Sequence, residues 1–412
     1  MAISDFNDWI DDFGRPGFIW YAKRLAANDT LATHAHQAGP YVPKGLLFKV
    51  FPTLNHPETL NPDLQFDLII DSHSDRRSVR AVWYNNVLFE GTRDEGRLTR
   101  FGGSSSALLD PESTGALAIF AFDLNSTLED RKCHVWVCGE PGIEADLFEE
   151  RFGPIEPKQH LVWVPGETAP QLNLFSDSKN TTGGCHLTLA EIPPKWLNTL
   201  PTGEEIIGLA LKKHTANGSG PDMRMLRRRK CEFEIFLSVE EAFYLPRIKG
   251  GFTSLQSFVD LAQSVLQSRK SRSGNSLELH AREIMREEGL QQDIEFSHRP
   301  LIKEAKRPDF LFPSQTAYDD PAFPDTRLRM LACKTTCKDR WRQALNEANR
   351  IKTKHILTLQ EGVSAGQFQE MTDAKVQLVV PAGLHRSYPK SVRPHLITLE
   401  SFIGDVRLLG AA

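Results

Sequence analysis

The sequence predicts two domains of different class, a mostly β domain followed by an α/β domain. Three observations support this. The chain has 412 residues, and globular domains run to about 100–200 residues each. Its first 165 residues carry short apolar runs separated by turn residues. Beyond residue 186 the apolar pattern lengthens and takes on helical spacing.

In order along the chain, the runs GLLFKVFP (45–52), FDLII (66–70), RAVWYNN (80–86), ALAIFAF (116–122), HVWVC (134–138) and HLVWVP (160–165) read as strands of a barrel or sandwich. The stretch VPGETAPQLNLFSDSKNTTGGCH (164–186) is rich in Pro, Gly, Ser, Thr, Asn and Asp and lacks a sustained apolar period. It reads as a linker, which puts the domains at 1–165 and 186–412 with 166–185 between them. SLQSFVDLAQSVLQSR (254–269) and SLELHAREIMREEGL (276–290) place apolar residues at helical spacing and predict two helices. DFLFP (309–313), LRMLACKTT (328–336), HILTL (355–359) and VQLVVP (376–381) then read as strands, and helices alternating with apolar strands argue an α/β sheet. No internal repeat or low-complexity block interrupts this plan.

Hydrophobic residues make up 40% and charged residues 25%, the mix of an ordinary globular protein. No run approaches the ~18 apolar residues of a membrane span. The acidic, aromatic start MAISDFNDWIDDFGRPGF has no basic region or apolar core of a secretory signal. Six cysteines without a CxxC pair suggest reduced thiols in a cytoplasm, and Cys333 and Cys337 have no second ligand pair for zinc. The net charge of −4 excludes a protein that coats nucleic acid indiscriminately, but not one with local basic surfaces.

The chemistry concentrates in the second domain. Asp309 follows Pro308 at the start of DFLFP, and Lys334, twenty-five residues later, ends the run LRMLAC. A carboxylate and a lysine at neighbouring strand ends suit metal-dependent phosphodiester cleavage: the acid holds a divalent cation beside the phosphate, and the lysine offsets developing charge. Glu347, within the expected helix DRWRQALNEANRIK, and Glu278, within SLELH, supply two more carboxylates. The pair alone also fits a strand-capping aspartate and a surface lysine. The segment KTTCKDRWRQ (334–343) surrounds an expected helix start with cations, and side chains at such a start can read base edges.

These segments resemble the EcoRII-type restriction endonucleases. SRKSRSGNSLELH (268–280), RPDFLFPS (307–314), MLACKTTCKDRWRQALNEA (330–348) and TLQEGVS (358–364) look like that family's nuclease domain. KRLAANDTLATHAHQAGPYVP (23–43), WYNNVLFEGTRDEGRLTRFG (83–102) and DPESTGALAIFAF (110–122) look like its N-terminal effector domain. The resemblance implies a PD-(D/E)xK nuclease core after a DNA-binding pseudobarrel. Carried over by motif, Asp309 is the central metal ligand, Lys334 the catalytic lysine, Glu347 a second acid and metal ligand displaced onto a helix, and Glu278 the completion of the cluster. Lys338, Asp339 and Arg340 match the segment that reads G·C pairs. Relatives recognise the pseudo-palindrome CCWGG, which asks for a homodimer with the central pair flipped out.

In the first domain, six arginines against three acids between residues 76 and 100, interleaved with Trp83, Tyr84 and Phe89, suit a DNA surface or a blunted strand edge. With the resemblance, TRDEGRLTRFG (92–102) and ANDTLATHAHQAGPY (27–41) become DNA-reading arms. His36, Tyr41, Arg80, Arg93, Glu95, Arg97 and Arg100 are the implied contacts. His34 and His36, with no acid or cysteine pair nearby, read as loop or DNA contacts rather than metal ligands. The chain departs from the family pattern at Gly96, where a lysine is expected, at Phe101, where a tryptophan is, and at GGSSSA, which lacks an expected arginine. The run Arg227–Lys230 reads as a solvated face, with a phosphate track as the alternative, and Arg269, Lys270 and Arg272 precede Glu278.

The expected function is a cytoplasmic, Mg²⁺-dependent type II restriction endonuclease of the effector-activated (type IIE) subtype. It would engage two or more copies of its site on double-stranded DNA, be autoinhibited by its N-terminal domain, and work beside a cognate cytosine methyltransferase. The rivals are a non-cleaving DNA-binding regulator, against which the intact acids argue, and a repair nuclease on the same core, which needs no second sequence-reading domain.

Overall fold

The computed structural model describes residues 3–33, 39–128, 130–139, 142–166, 171–174, 184–215, 218–302, 306–338 and 340–410. The chain folds as two compact units. The first comprises Met1–Lys179 together with Gln360–Gln369 and Arg386–Pro394, and the second comprises Asn180–Leu359, Glu370–His385 and His395–Ala412. The expected 186–412 block is thus interrupted twice, because two of its segments group with the first unit.

The first unit is built on strands β1 (Phe18–Arg24), β2 (Tyr41–Val42), β3 (Asp63–Ile70), β4 (Asp75–Tyr84), β5 (Glu95–Thr99), β6 (Leu117–Asp123), β7 (Lys132–Val137), β8 (Gln159–Trp163) and β9 (Gln171–Leu174). They form one nine-stranded sheet in the order β2-β5-β4-β3-β7-β6-β1-β8-β9. Every neighbouring pair is antiparallel except β3 and β7. The central strands are apolar on both faces. From β1 and β6, Ile19, Tyr21, Ala118, Phe120 and Phe122 enter one core, while Phe18, Trp20, Ala22, Leu117, Ile119 and Ala121 enter another. The second core is covered by Phe6 and Trp9 of the Ile3–Phe13 helix and Phe148 and Phe152 of the Ile143–Phe152 helix. A strand covered on both faces reads as a continuous apolar run, which is why FIWYA and LAIFAF show no alternation.

Two expectations for this unit need correction. GLLFKVFP is the helix Lys44–Val50 followed by a single turn at Pro52–Leu54, not a strand. Its buried Leu46, Leu47 and Val50 fall on one helical face, and a short apolar run does not distinguish the two periods. The supposed linker also contains β9, which pairs antiparallel with β8.

The second unit carries β10 (Ser297–His298), β11 (Phe310–Phe312), β12 (Arg329–Cys333), β13 (Lys354–Leu357) and β14 (Val376–Val379), in sequential order across a five-stranded sheet. β10, β11 and β12 are antiparallel neighbours, while β12, β13 and β14 run parallel. Leu277, Ala281, Ile284 and Met285 pack on one side with Phe310, Phe312, Leu331, Leu357 and Val379 of the sheet. The two expected helices are one continuous helix, Leu255–Glu287. Gly274 in its middle costs only about 1 kcal/mol relative to alanine. Arg272 and Ser276, on either side of it, bond Glu232 of the Pro221–Lys249 helix.

The basic run is only half a solvated face: Arg227 and Lys230 are exposed, but the other two turn inward. Arg228 is 1% exposed and pairs with Glu287, and Arg229 is buried against Glu232. Arg269 and Arg272 are likewise committed to Glu240 and Glu232. The cysteines differ too: Cys185 and Cys231, 46 residues apart, are joined by a disulfide with Cα atoms 5.1 Å apart. No local motif announces such a pair, because only the fold brings the two together. Cys133, Cys138, Cys333 and Cys337 are free thiols.

Candidate functional site

The antiparallel register of β11 and β12 sets Phe310 opposite Leu331, so Asp309, just before β11, and Lys334, just after β12, emerge at the same sheet end. A separation of twenty-five positions in sequence thus becomes neighbouring strand ends in the fold. Asp309 is held in place by Cys333, whose backbone N–H donates to its Oδ2 at 2.7 Å. Lys334 is fixed through its own N–H to Leu357 O at 2.9 Å, tying the site to β13.

Glu347 joins this end from a different element than expected. The helix there spans only Trp341–Leu345, and Glu347 lies two residues past its end. Lys354 Nζ donates to Glu347 O at 2.5 Å and to Ala348 O at 2.8 Å, which fixes the backbone and leaves the carboxylate to the cleft. Its Oε2 is buried without a hydrogen-bond partner. An orphaned buried oxygen of this kind signals an absent partner.

Burial pushes the Asp309 carboxyl above its ordinary range; Lys334 and the Cys333 amide oppose that push, and Glu278 adds to it. Glu347 is raised for the same leading reason, with Lys334 opposing and Asp309 reinforcing. Two acids that resist ionisation on either side of one lysine are a locus short of positive charge. Glu278 behaves oppositely. Burial works against its charge, but hydrogen bonds from His298 and Arg299 outweigh this and hold its carboxyl below the usual range. His298 Nε2 lies 2.6 Å from it, and Arg299 reaches both of its oxygens, through Nε at 2.5 Å and a terminal nitrogen at 2.6 Å. Among the described residues the three acids do not close into a single ligand cluster. Glu278 already has hydrogen-bond partners on both oxygens, whereas Asp309 and Glu347, the latter with an unbonded buried oxygen, fit a divalent cation. His298 and Arg299 were missed from sequence, where their only signal is two basic residues in FSHRP shortly before Asp309.

Of the expected base-reading residues, Arg340 is exposed at the start of the Trp341–Leu345 helix and Lys338 is buried. Asp339 lies outside the described residues, as do His34 and His36 of the N-terminal arm.

In the first unit most of the arginines are already neutralised. Arg76, Arg77 and Arg80 pair with Asp67, Asp75 and Asp63. Arg93 and Arg97 share Glu95, whose carboxyl is held down by them despite its burial. Arg93 also stacks 3.9 Å over the Tyr84 ring, and Arg97 donates to Gly39 O at 2.9 Å. Tyr41 is anchored by backbone bonds to Asp29 and from Tyr21. Arg100 is exposed and, among the described residues, has no ion pair. The count of six arginines against three acids omitted Asp75, which starts β4 one residue outside the window, and Asp63 and Asp67, which the antiparallel β3–β4 pairing brings alongside.

Two family descriptions cover most of the chain: EcoRII C terminal at residues 236–403, and Restriction endonuclease EcoRII, N-terminal, at residues 14–167. The type II restriction enzyme EcoRII of Escherichia coli is 41% identical over 408 residues, 98% of each chain. This chain belongs to the EcoRII family. As an EcoRII-family protein it is a type II restriction endonuclease, a site-specific deoxyribonuclease that binds DNA, and its class implies dependence on a divalent metal. The EcoRII-family chain is also similar to metal-depleted Ecl18kI in complex with uncleaved, modified DNA (18% identity, 52% of this chain and 80% of that one, TM-score 0.44). A second solved structure, the UbaLAI restriction endonuclease B3 domain with cognate DNA, matches at 18% identity over 40% of this chain and 99% of that one, with a TM-score of 0.26.

Proposed function

We propose that this EcoRII-family enzyme is a Mg²⁺-dependent, effector-activated (type IIE) endonuclease. It cleaves both strands of DNA at a short CCWGG-like site, as a homodimer, in the cytoplasm of a cell that carries a cognate cytosine methyltransferase. Its second unit is the nuclease on a PD-(D/E)xK core, and its first is a pseudobarrel effector domain that binds another copy of the site. Along the sequence the domains are 1–165 and 186–412 with 166–185 between them, while β9 in that stretch and the segments Gln360–Gln369 and Arg386–Pro394 group with the first unit.

The observation that carries this reading is the contrast among the acids: Asp309 and Glu347 are pushed up around Lys334, and one Glu347 oxygen is orphaned. Those two carboxylates would hold the cation. When bound, Mg²⁺ supplies a Lewis acid for the phosphate and lowers the pKa of water. Lys334 places a positive charge beside the two acids, where it offsets charge developing on the phosphate. Glu278 fixes His298 and Arg299 by hydrogen bonds, so that the Arg299 guanidinium is held beside it. Lys338, Asp339 and Arg340 read base edges, while His36, Tyr41, Arg80, Arg93, Glu95, Arg97 and Arg100 form the effector surface. Autoinhibition is supported by the make-up of the first unit. In it, Ser364 Oγ donates to Glu112 Oε1 at 2.5 Å and Gln367 Nε2 donates to Glu112 O at 2.9 Å, so part of a nuclease-type motif is tied to effector residues.

Digestion of DNA bearing known sites, with Mg²⁺ and with EDTA, tests the reading. Discrete double-strand fragments that require Mg²⁺ support it. Site-specific binding without cleavage would make the protein a regulator, and cleavage without sequence preference would make it a repair-type nuclease.

A further inference from the structure

The second unit holds a chemically distinct cluster that the nuclease reaction does not use. Cys185, His214 and Cys231 bring two sulfurs and an imidazole nitrogen within 4.8 Å of one another. Both cysteines are buried, at 3% and 1% exposure, while His214 is half-buried. Each ligand is held by separate structure. Cys231 sits on the Pro221–Lys249 helix. Cys185 lies two residues before Leu187, whose N–H donates to Ser238 Oγ of that same helix at 3.0 Å. His214 ends the Gly203–Lys213 helix, with its N–H on Ala210 O and its carbonyl accepting from Arg228 Nε at 2.9 Å.

We infer that Cys185, Cys231 and His214 form a binding site for a thiophilic divalent cation of the zinc type, with the disulfide and the metal-bound dithiol as alternative states. Two thiolates and an imidazole are a zinc donor set, and tetrahedral Zn–S and Zn–N bonds of about 2.3 and 2.0–2.1 Å require the donors to lie a few ångströms apart. All three ligand atoms lie within 4.8 Å of one another, and opening the S–S bond lets the two sulfurs separate to that spacing. Among the described residues no fourth histidine, cysteine or acid joins them, so the fourth position falls to solvent. His214 lines a cavity of about 200 Å³ with Lys213, Arg224, Arg227 and Arg228, which gives the ion access. Cationic surroundings also favour the thiolates that a metal requires.

The interconversion balances with a phosphine as reductant. The S–S bond takes two electrons from phosphorus, water supplies the oxygen of the phosphine oxide, and its two protons go to the sulfurs. Metal binding then expels both thiol protons.

The test uses the full-length chain carrying Asp309→Ala, so that the acidic site contributes no metal. The protein is reduced with the phosphine, equilibrated with Zn²⁺ and desalted, and retained zinc is measured by mass spectrometry. About one zinc per chain is expected after reduction and almost none for the oxidised chain. Cys185→Ser with Cys231→Ser should abolish retention, and His214→Ala should reduce it. Because the double variant risks misfolding, alkylation of the reduced chain with unaltered cysteines is mapped with and without Zn²⁺, and zinc should shield Cys185 and Cys231 selectively. Absence of zinc from the reduced chain, zinc retained equally by the double cysteine variant, or alkylation of both thiols unaffected by zinc would each overturn the assignment.

Discussion

The two DNA-directed regions of this molecule solve opposite electrostatic problems. Around Asp309 and Glu347, carboxylates are buried close to one another with Lys334 only partly opposing, so both resist ionisation and one oxygen goes unbonded. Along β4 and β5, arginines are gathered with enough acid nearby that Arg76, Arg77, Arg80, Arg93 and Arg97 all have partners. In the proposed roles, the first region works on a phosphate through a cation that would relieve its two acids. The second binds phosphates directly, so its paired arginines would exchange a carboxylate for a phosphate. The first arrangement costs stability until the metal arrives; the second costs affinity when DNA arrives.

The largest expected effect breaks the first half of that contrast. Asp309→Ala or Lys334→Ala should lower cleavage by at least on the order of 10²–10³-fold, the cost of losing a charge-stabilising group. Site-specific binding should survive, since neither residue faces base edges in the proposed roles. Measurable nicking at near-normal rates in a gel assay would mean the wrong residues were chosen.

Next comes the coupling between the regions. A chain starting near residue 186 should cut one-site and three-site plasmids at similar per-site rates. The full-length protein should cut the one-site plasmid slowly and be accelerated by a short site-bearing duplex. Coupling free energies typically run to about 5–150-fold. Equal behaviour of both proteins on both plasmids would remove the autoinhibitory role while leaving the nuclease intact.

A paired comparison of exposed arginines sharpens the distinction further. Arg340→Ala should cost about 1–3 kcal/mol of discrimination, the worth of a bidentate contact to guanine. Arg100→Ala should instead flatten the salt dependence of effector binding, by about 0.9 per lost phosphate contact. Filter binding against salt separates the two outcomes; equal losses on cognate and random DNA would make Arg340 a phosphate contact.

The smallest effects are on stability. Because the folded-state pKa values of Asp309 and Glu347 are raised, the native state binds more protons there than the unfolded chain does. Stability from these groups is present below their ordinary pKa and is lost as pH rises through the raised values. Asp309→Asn should therefore melt higher than the wild type at neutral pH without metal. A divalent ion at 100 times its Kd should add about 2.7 kcal/mol to the wild type and little to the variant. Glu278, with its lowered pKa, has the opposite sign: its contribution is present above the ordinary glutamate pKa and is lost on acidification. Glu278→Gln should destabilise by about 1–3 kcal/mol. Calorimetry showing the same sign for Asp309→Asn and Glu278→Gln would erase the difference between the acids.

Much of this was legible in the sequence. Asp309 and Lys334 could be placed at strand ends because DFLFP and LRMLAC are short apolar runs, and β11 and β12 follow them closely. What escaped were relations made only by the fold. The partners of Arg76 and Arg80 come from β3 across the register, and Glu347 leaves its helix early. His298 and Arg299 claim Glu278, and Cys185 finds Cys231 from 46 residues away. GLLFKVFP failed for a different reason: three buried residues suit either period, and tertiary packing chose the helix.

Gly96 sets a limit on exchanging sequence between members of this family. A Cβ at that position would sit 2.4 Å from Val42 O and 3.0 Å from Leu47 Cδ2, because β2 passes directly against β5 there. A lysine at this point therefore brings more than a charge; it requires a wider separation between two strands. Grafting it alone would displace β2, and with it Tyr41 and the arm that leads into it. The residues of this edge form a linked set that has to be exchanged together, so a chimera that swaps the paired β2 and β5 strands as a block should be tolerated where the single substitution is not.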